Sequence, residues 1–293
     1  MKIQVGVGSH KELDYFLSHG ADEFYCGFSK IPSQVGYIRG DRNFHSIEDI
    51  RLAVKTAHKA GKEMFFVANE VHADFFDKTV KTIKTLIKKG IDGVIIKDLA
   101  ILAHLHSQGI KTKIILSTLT HCFNIETVEF YNNFNIARIA LPEQLTAQEA
   151  WEIIKNKFGI KTEIFLKSRE YCVNFNGLCF LQFGRDKECF CRKKFKLGKK
   201  DFFMFEPSAH EQLGQLYDFY NQGAEIIKIG RSPDKESGKI FFREAVQLLK
   251  ILKRKPSRAD FIKEALKIKK AFDKTMYFLK EKGKDAHRFT MRK

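Results

Sequence analysis

"KIQVGVGSHKELDYFLSHGADEFYCGF" (residues 2–28) sets the rhythm of the whole chain. A short apolar run, Lys2 to Gly8, gives way to a stretch whose apolar residues recur at helical spacing. A second short apolar run, Glu23 to Phe28, follows. Ser9 stands where a helix N-cap is wanted and Gly20 where a helix stops. Short, continuously apolar runs suit parallel strands buried on both faces, so the unit reads strand–helix–strand.

The unit recurs. Further strand candidates are "EMFFVAN" (63–69), "GVIIKD" (93–98), "KIILST" (113–118), "ARIALPE" (137–143), "EIFLKS" (163–168) and "EIIKIG" (225–230). Between them lie amphipathic stretches. "SIEDIRLAVKTAHKAGK" carries Ser46 three residues before Asp49, in the manner of a capping box. "DKTVKTIKTLIKKG" puts Val80, Ile83 and Leu86/Ile87 on one stripe. "DLAILAHLHSQG" and "TAQEAWEIIKNK" have the same character. Eight strands with intervening helices predict an α/β fold, a (β/α)8 TIM-type barrel; a doubly wound open sheet is the alternative.

Two stretches break the rhythm: a loop over 29–45 and an insertion over 169–209 before the last strand. The expected organisation is a barrel domain over 1–255, with that insertion, and a basic helical extension over 256–293. In the extension Phe261, Ala265, Ile268, Phe272 and Phe278/Leu279 recur as one apolar face.

Composition narrows the class. The 293 residues are 44% hydrophobic, with 28 phenylalanines, enough for a large core. The formal net charge of +17 either attracts nucleic acid or anionic metabolites, or merely solvates outer helix faces; its even spread favours the latter. The N-terminus lacks a signal-peptide core, and no apolar run approaches the length of a membrane span, so a cytoplasmic protein is expected. In that compartment thiols stay reduced, and clustered cysteines point to metal or catalysis.

A barrel of this kind keeps its chemistry at the C-terminal ends of its strands. Those ends supply Asn69, Lys97, Asp98, Ser117, His121, Glu143, Lys228 and Arg231, with Arg42 in the loop after the second strand. His121, Asp98 and Glu143 are the candidates for proton transfer. Arg42, Asn69, Lys97, Ser117, Lys228 and Arg231 are the candidates for holding an anionic, carboxylate-bearing small molecule. Polar residues also end strands simply because the chain surfaces there. No nucleophile elbow, HExxH or phosphate-loop motif is present.

"YCVNFNGLCFLQFGRDKECFCRKK" (171–194) holds Cys172, Cys179, Cys189 and Cys191. Four thiolates satisfy tetrahedral zinc or a cuboidal iron–sulfur cluster. The spacing leaves the two level. Cys26 and Cys122 are reserve ligands, more simply read as small buried hydrophobes.

Several of these stretches together resemble peptidase family U-thirty-two, the collagenase-like peptidases. "VGSHKELDYFLSHGADEFYCGF", "RNFHSIEDIRLAVKTAHKAGK", "LIKKGIDGVIIKDLAIL", "LSTLTHCFNIETVEFY" and "YCVNFNGLCF" match in order over about residues 3 to 250. The resemblance implies a barrel core carrying a 4Fe-4S cluster, with Cys172, Cys179 and the Cys189/Cys191 pair as ligands. It implies oxygen-independent hydroxylation of a quinone precursor or an RNA base, with a prephenate-like oxygen donor. It also implies a heterodimer with a second family member in some branches. The chain departs from the family pattern at Cys189-Phe190-Cys191, where a wider spacing is usual, and at "KIGR" (228–231), which lacks a glutamate.

Overall fold

The computed structural model describes residues 1–32, 43–69, 71–169, 194–203, 207–231 and 235–290; the side chains of 169, 235 and 278–290 are outside that description. Eight parallel strands close into a barrel: β1 (Lys2–Gly6), β2 (Glu23–Cys26), β3 (Glu63–Ala68), β4 (Gly93–Ile96), β5 (Lys113–Leu116), β6 (Arg138–Ala140), β7 (Lys161–Phe165) and β10 (Ile226–Ile229). β1 pairs with both β2 and β10, and this closure rules out the open sheet. Between β7 and β10, β8 (Phe195–Leu197) and β9 (Lys200–Phe202) form an antiparallel hairpin that the sequence reading did not anticipate.

The outer helices are α1 (His10–Ser18), α2 (Ile47–Lys59), α3 (Phe76–Lys88), α4 (Leu99–Ser107), α5 (Ile125–Asn132), α6 (Trp151–Ile154), α7 (Ala209–Gln222) and α8 (Lys235–Leu252). Their starts are chemically marked. Ser9, Ser46, Asp98 and Asn124 each accept a backbone N–H of the first turn. Ser208 and Glu211 form a reciprocal capping box on α7. α6 is shorter than "TAQEAWEIIKNK" suggests. The Asn156 side chain takes the carbonyls of Ile153 and Ile160 and the N–H groups of Phe158 and Ile160, which ends the helix.

The extension folds as one long helix, α9 (Arg258–Thr290), packed on α7 and α8. Phe261 and Ala265 are buried, and Ile268 and Phe272 half-buried, on the expected face. Arg258 grips Asp218 of α7 at 2.9 Å and the Tyr217 hydroxyl donates to the Pro256 carbonyl.

There are two cores. The outer one, between strands and helices, is rich in phenylalanine, with Phe24, Phe66, Phe219, Phe242 and Phe261 fully buried. The inner one fills the barrel with Tyr25, Phe65, Val67, Ile95 and Ile115. Beside this inner cluster sits a buried charged network. Arg138 contacts Glu23 at 2.7 Å and Glu163 at 3.2 Å, and Lys228 contacts Glu163 at 2.9 Å. Gln4 donates to Glu23, and the Lys228 ammonium lies over the Tyr25 ring. Two cations face two carboxylates, so these groups balance in charge where desolvation is expensive.

Candidate active site at the C-terminal mouth of the barrel

Parallel strands deliver all their C-terminal ends to one mouth. Gly6, the last residue of β1, makes the centre of that mouth compact. A Cβ there would stand 2.3 Å from Arg231 Cδ and 2.7 Å from Tyr25 Cζ, so the missing side chain is what lets both pack across the barrel end. The Tyr25 hydroxyl donates to the carbonyl of Ile229 at 2.9 Å and pins that strand end. Arg231 is thus held over the mouth.

Around Arg231 the mouth carries polar atoms with no hydrogen-bond partner among the described residues. They are Asn43 Oδ1, Asn69 Oδ1, Gln144 Oε1 and Ser168 Oγ. Asn43 and Ser168 are almost fully buried. Each of the four lies in a connection on the C-terminal side of the barrel, and buried polar groups are normally paired, so they are candidates for contact with a ligand or with the adjoining loops.

The other expected site residues fall into distinct settings. Asn69 directly follows β3 and is half-buried. Lys97 and Asp98 follow β4, and Asp98 uses its carboxylate to accept the Ile101 N–H at 3.0 Å as the α4 cap. Ser117 follows β5, is buried, and its hydroxyl accepts the Leu119 N–H. His121 is exposed, adopts a left-handed conformation (φ 55°) and lies beside the exposed Phe123, ring centroids 6.3 Å apart. Glu143 follows β6, and its backbone carbonyl accepts the buried Lys167 ammonium at 2.8 Å.

Lys228 differs from expectation in position. It is the third residue of β10 and points into the barrel, paired with Glu163, rather than standing on the rim. Strand alternation accounts for this: side chains two apart share a face, and Lys228 falls on the interior one. Arg42, Cys172, Cys179, Cys189 and Cys191 lie outside the described residues.

Sequence reading passed over the interior network. Glu23 and Arg138 lay at the starts of their strand candidates and were given no role; Glu163 opened its candidate run, but β7 begins two residues earlier. Burial alone would raise the Glu23 carboxyl, but the Arg138 hydrogen bonds and charge, with Lys2, outweigh it and hold Glu23 below the usual carboxylate range. A cavity of about 640 Å³ opens at the opposite, N-terminal mouth, lined by Glu23, Glu63, Lys113, Arg138 and Lys161 among others. Its charges are already matched: Lys113 with Glu63, Lys161 with Glu225 and Arg138 with Glu23. That leaves the C-terminal mouth, with its unpartnered amides, as the better site.

Among the described residues no group of three or more His, Cys, Asp and Glu side chains is placed to hold a metal. Cys26 and Cys122 are sealed in the core. Burial pushes both thiols up to about 12, with Arg231 pulling Cys26 slightly back. Both are therefore poor thiolate ligands. The thiol donor set reduces to the four cysteines between 172 and 191, which match in number and type what zinc or a cuboidal cluster requires. That segment follows the 3-10 turn Lys167–Arg169, which comes just after β7 on the C-terminal side of the barrel.

Several known proteins are similar to the chain in sequence. A tRNA hydroxylation protein P of Escherichia coli is 26% identical over 176 residues, 60% of this chain and 38% of that protein. A 23S rRNA 5-hydroxycytidine synthase of the same organism is 27% identical over 169 residues, 56% of this chain and 24% of that protein. A collagenase of Porphyromonas gingivalis is 24% identical over 193 residues, 61% and 44% of the two chains. Each match spans less than half the length of the relative. The model of Peptidase family U32 matches residues 8–288, nearly the whole chain, and the chain belongs to that family.

Proposed function

We propose that this protein takes part in oxygen-independent hydroxylation of an RNA base, with an iron–sulfur cluster on Cys172, Cys179, Cys189 and Cys191. The observation that carries the reading is the family match over residues 8–288, together with relatives named for tRNA and rRNA hydroxylation. The net charge of +17 supports an RNA partner through phosphate contacts. When bound, the cluster would supply one-electron chemistry.

The chain's own residues bind and orient. Arg231, held over Gly6, offers a guanidinium to a carboxylate-bearing donor of the prephenate type, a pairing that is often bidentate. Asn69 and Asn43 offer amide oxygens to a base edge or sugar. His121 and Phe123 offer exposed rings on which a base can stack, and the His121 imidazole is available to move a proton at the base. A quinone precursor in place of RNA would use the same anion-binding arginine without the phosphate contacts.

Anaerobic purification tests the cofactor. A brown preparation with about four irons per chain is expected; a colourless one containing zinc overturns the iron–sulfur assignment. Nucleoside mass spectrometry of RNA from a deletion strain tests the reaction. One modified nucleoside should lose the mass of an oxygen atom, regain it with the wild-type gene, and fail to regain it with Cys172→Ser. An unchanged nucleoside profile overturns the RNA reading.

A second reading rests on one contact. Ser29 Oγ lies 3.2 Å from His45 Nδ1 near the end of β2, a hydroxyl–imidazole pair suited to hydrolysis. It would make the protein a peptidase, as the collagenase relative is named. Peptide cleavage that survives Cys172→Ser and disappears in Ser29→Ala would establish it.

A further inference from the structure

Four lysines of α9, Lys263, Lys267, Lys270 and Lys274, recur at spacings of four, three and four residues. All four are exposed. At 3.6 residues per turn they fall within about 60° of the helix circumference and extend over about 16 Å. None of them forms an ion pair among the described residues. The acids of this helix within the described side chains are engaged elsewhere: Asp260 with the Ser257 cap, Glu264 with Arg254 at 2.6 Å, and Asp273 toward Lys269. Tyr277, 63% exposed, follows Lys274 by three residues on the same side.

The opposite face is buried. Phe261, Ile262 and Ala265 are covered by the barrel helices, and Lys269 reaches from that side to donate to the Ser168 carbonyl at 2.7 Å. This contact ties α9 to the turn just after β7, while the lysine row stays on the outward, exposed face of the helix.

We propose that this row of lysines is the docking surface for the phosphate backbone of the RNA substrate; the proposal rests on the RNA reading given above and adds the contact surface to it. Four cations in line, with no acid among them, present a track to a polyanion. An anionic membrane fits less well, because surface binding needs an exposed apolar helix face and here that face is already buried. A protein partner fits less well because the row has no aliphatic anchor between its lysines. The exposed Tyr277 ring suits stacking on an unpaired base.

The test uses the full chain and unfractionated transfer RNA, titrated over a range of potassium chloride concentrations. Each phosphate contact contributes about 0.7 to the slope of log K against log salt for single strands and about 0.9 for duplex. The combined variant Lys263→Gln, Lys267→Gln, Lys270→Gln, Lys274→Gln should therefore lower the slope by about 3, and each single variant by slightly under 1. An equal charge loss on and just after α3 (Lys78, Lys81, Lys88 and Lys89 to Gln) should change it far less. A slope unchanged in the α9 variant, or lowered equally by the α3 variant, overturns the docking surface. So does a loss of binding to phosphatidylserine vesicles without a loss of RNA binding. If the wild type alters RNA nucleosides while the α9 variant keeps its slope, only the surface falls. If the wild type neither binds nor alters RNA, the functional reading falls with it.

Discussion

Arg138 Nη1 lies 2.7 Å from Glu23 Oε2 and 3.2 Å from Glu163 Oε2, so one guanidinium joins two carboxylates inside the barrel. Both carboxylates are almost wholly buried, and Glu163 also holds Lys228. Removing Arg138 leaves buried negative charge without its partner. Arg138→Met should cost on the order of 3–5 kcal/mol in denaturant unfolding. Replacing Arg138, Glu23, Glu163 and Lys228 together by apolar residues of similar volume should recover most of it. A loss under about 1 kcal/mol for the single variant would show that the network is not balanced as described.

The same contact sets an acid limit. Glu23 has its carboxyl held below the unfolded value, so its contribution is present above the ordinary glutamate range and is lost as pH falls through the folded pKa. Stability should decline on acidification below about pH 4. Glu23→Gln should be less stable at neutral pH and show a shallower acid limb. An acid limb as steep as the wild type's would place its origin in other carboxylates.

Asp98 separates capping from chemistry. Its carboxylate already accepts the Ile101 N–H. Asp98→Asn keeps the cap, whereas Asp98→Ala should lose about 1 kcal/mol. Full RNA-modifying activity in Asp98→Asn would confine the residue to the cap. A stable but inactive Asp98→Asn protein would restore it to proton transfer.

Gly6→Ala places a methyl group against Arg231 and Tyr25. Arg231 has the longer and more flexible side chain, so it should be the one to shift while Tyr25 keeps its bond to the Ile229 carbonyl. Stability should fall by about 1–3 kcal/mol, and binding of a dicarboxylate probe should weaken along with it. Unchanged dicarboxylate binding would mean that Arg231 does not contact the anion.

Cys26 and Cys122, with thiols near 12, are almost entirely protonated at neutral pH. Iodoacetamide should leave both unlabelled in the native protein and label both in denaturant. Native labelling of either at the rate of a free thiol would contradict their sealed positions.

The barrel was legible because its signal is repeated. Each strand is a short apolar run, and each capped helix announces itself with Ser, Asp or Asn at the right offset; the eight strand positions follow from that alone. The ends of strands read longer than they are, since "KIQVGVG" and "ARIALPE" stay apolar after their pairing has stopped at Gly6 and Ala140. Arg231 was legible as a cation after the last strand. Lys228 was misplaced, because a lysine near a strand end looks like a rim residue unless its interior partner Glu163 is known. That partner is 65 residues away in sequence, and no local pattern links them. The Ser29–His45 contact was hidden for a similar reason, since a long loop separates the two residues.

The filled barrel has a consequence for traffic. Tyr25, Phe65, Val67, Ile95 and Ile115, with the Arg138 network beside them, leave the two ends of the molecule without a shared passage. A substrate admitted at the mouth framed by Arg231 has to depart by the same door. Under the proposed function, entry of the next molecule and escape of the last would compete for one opening.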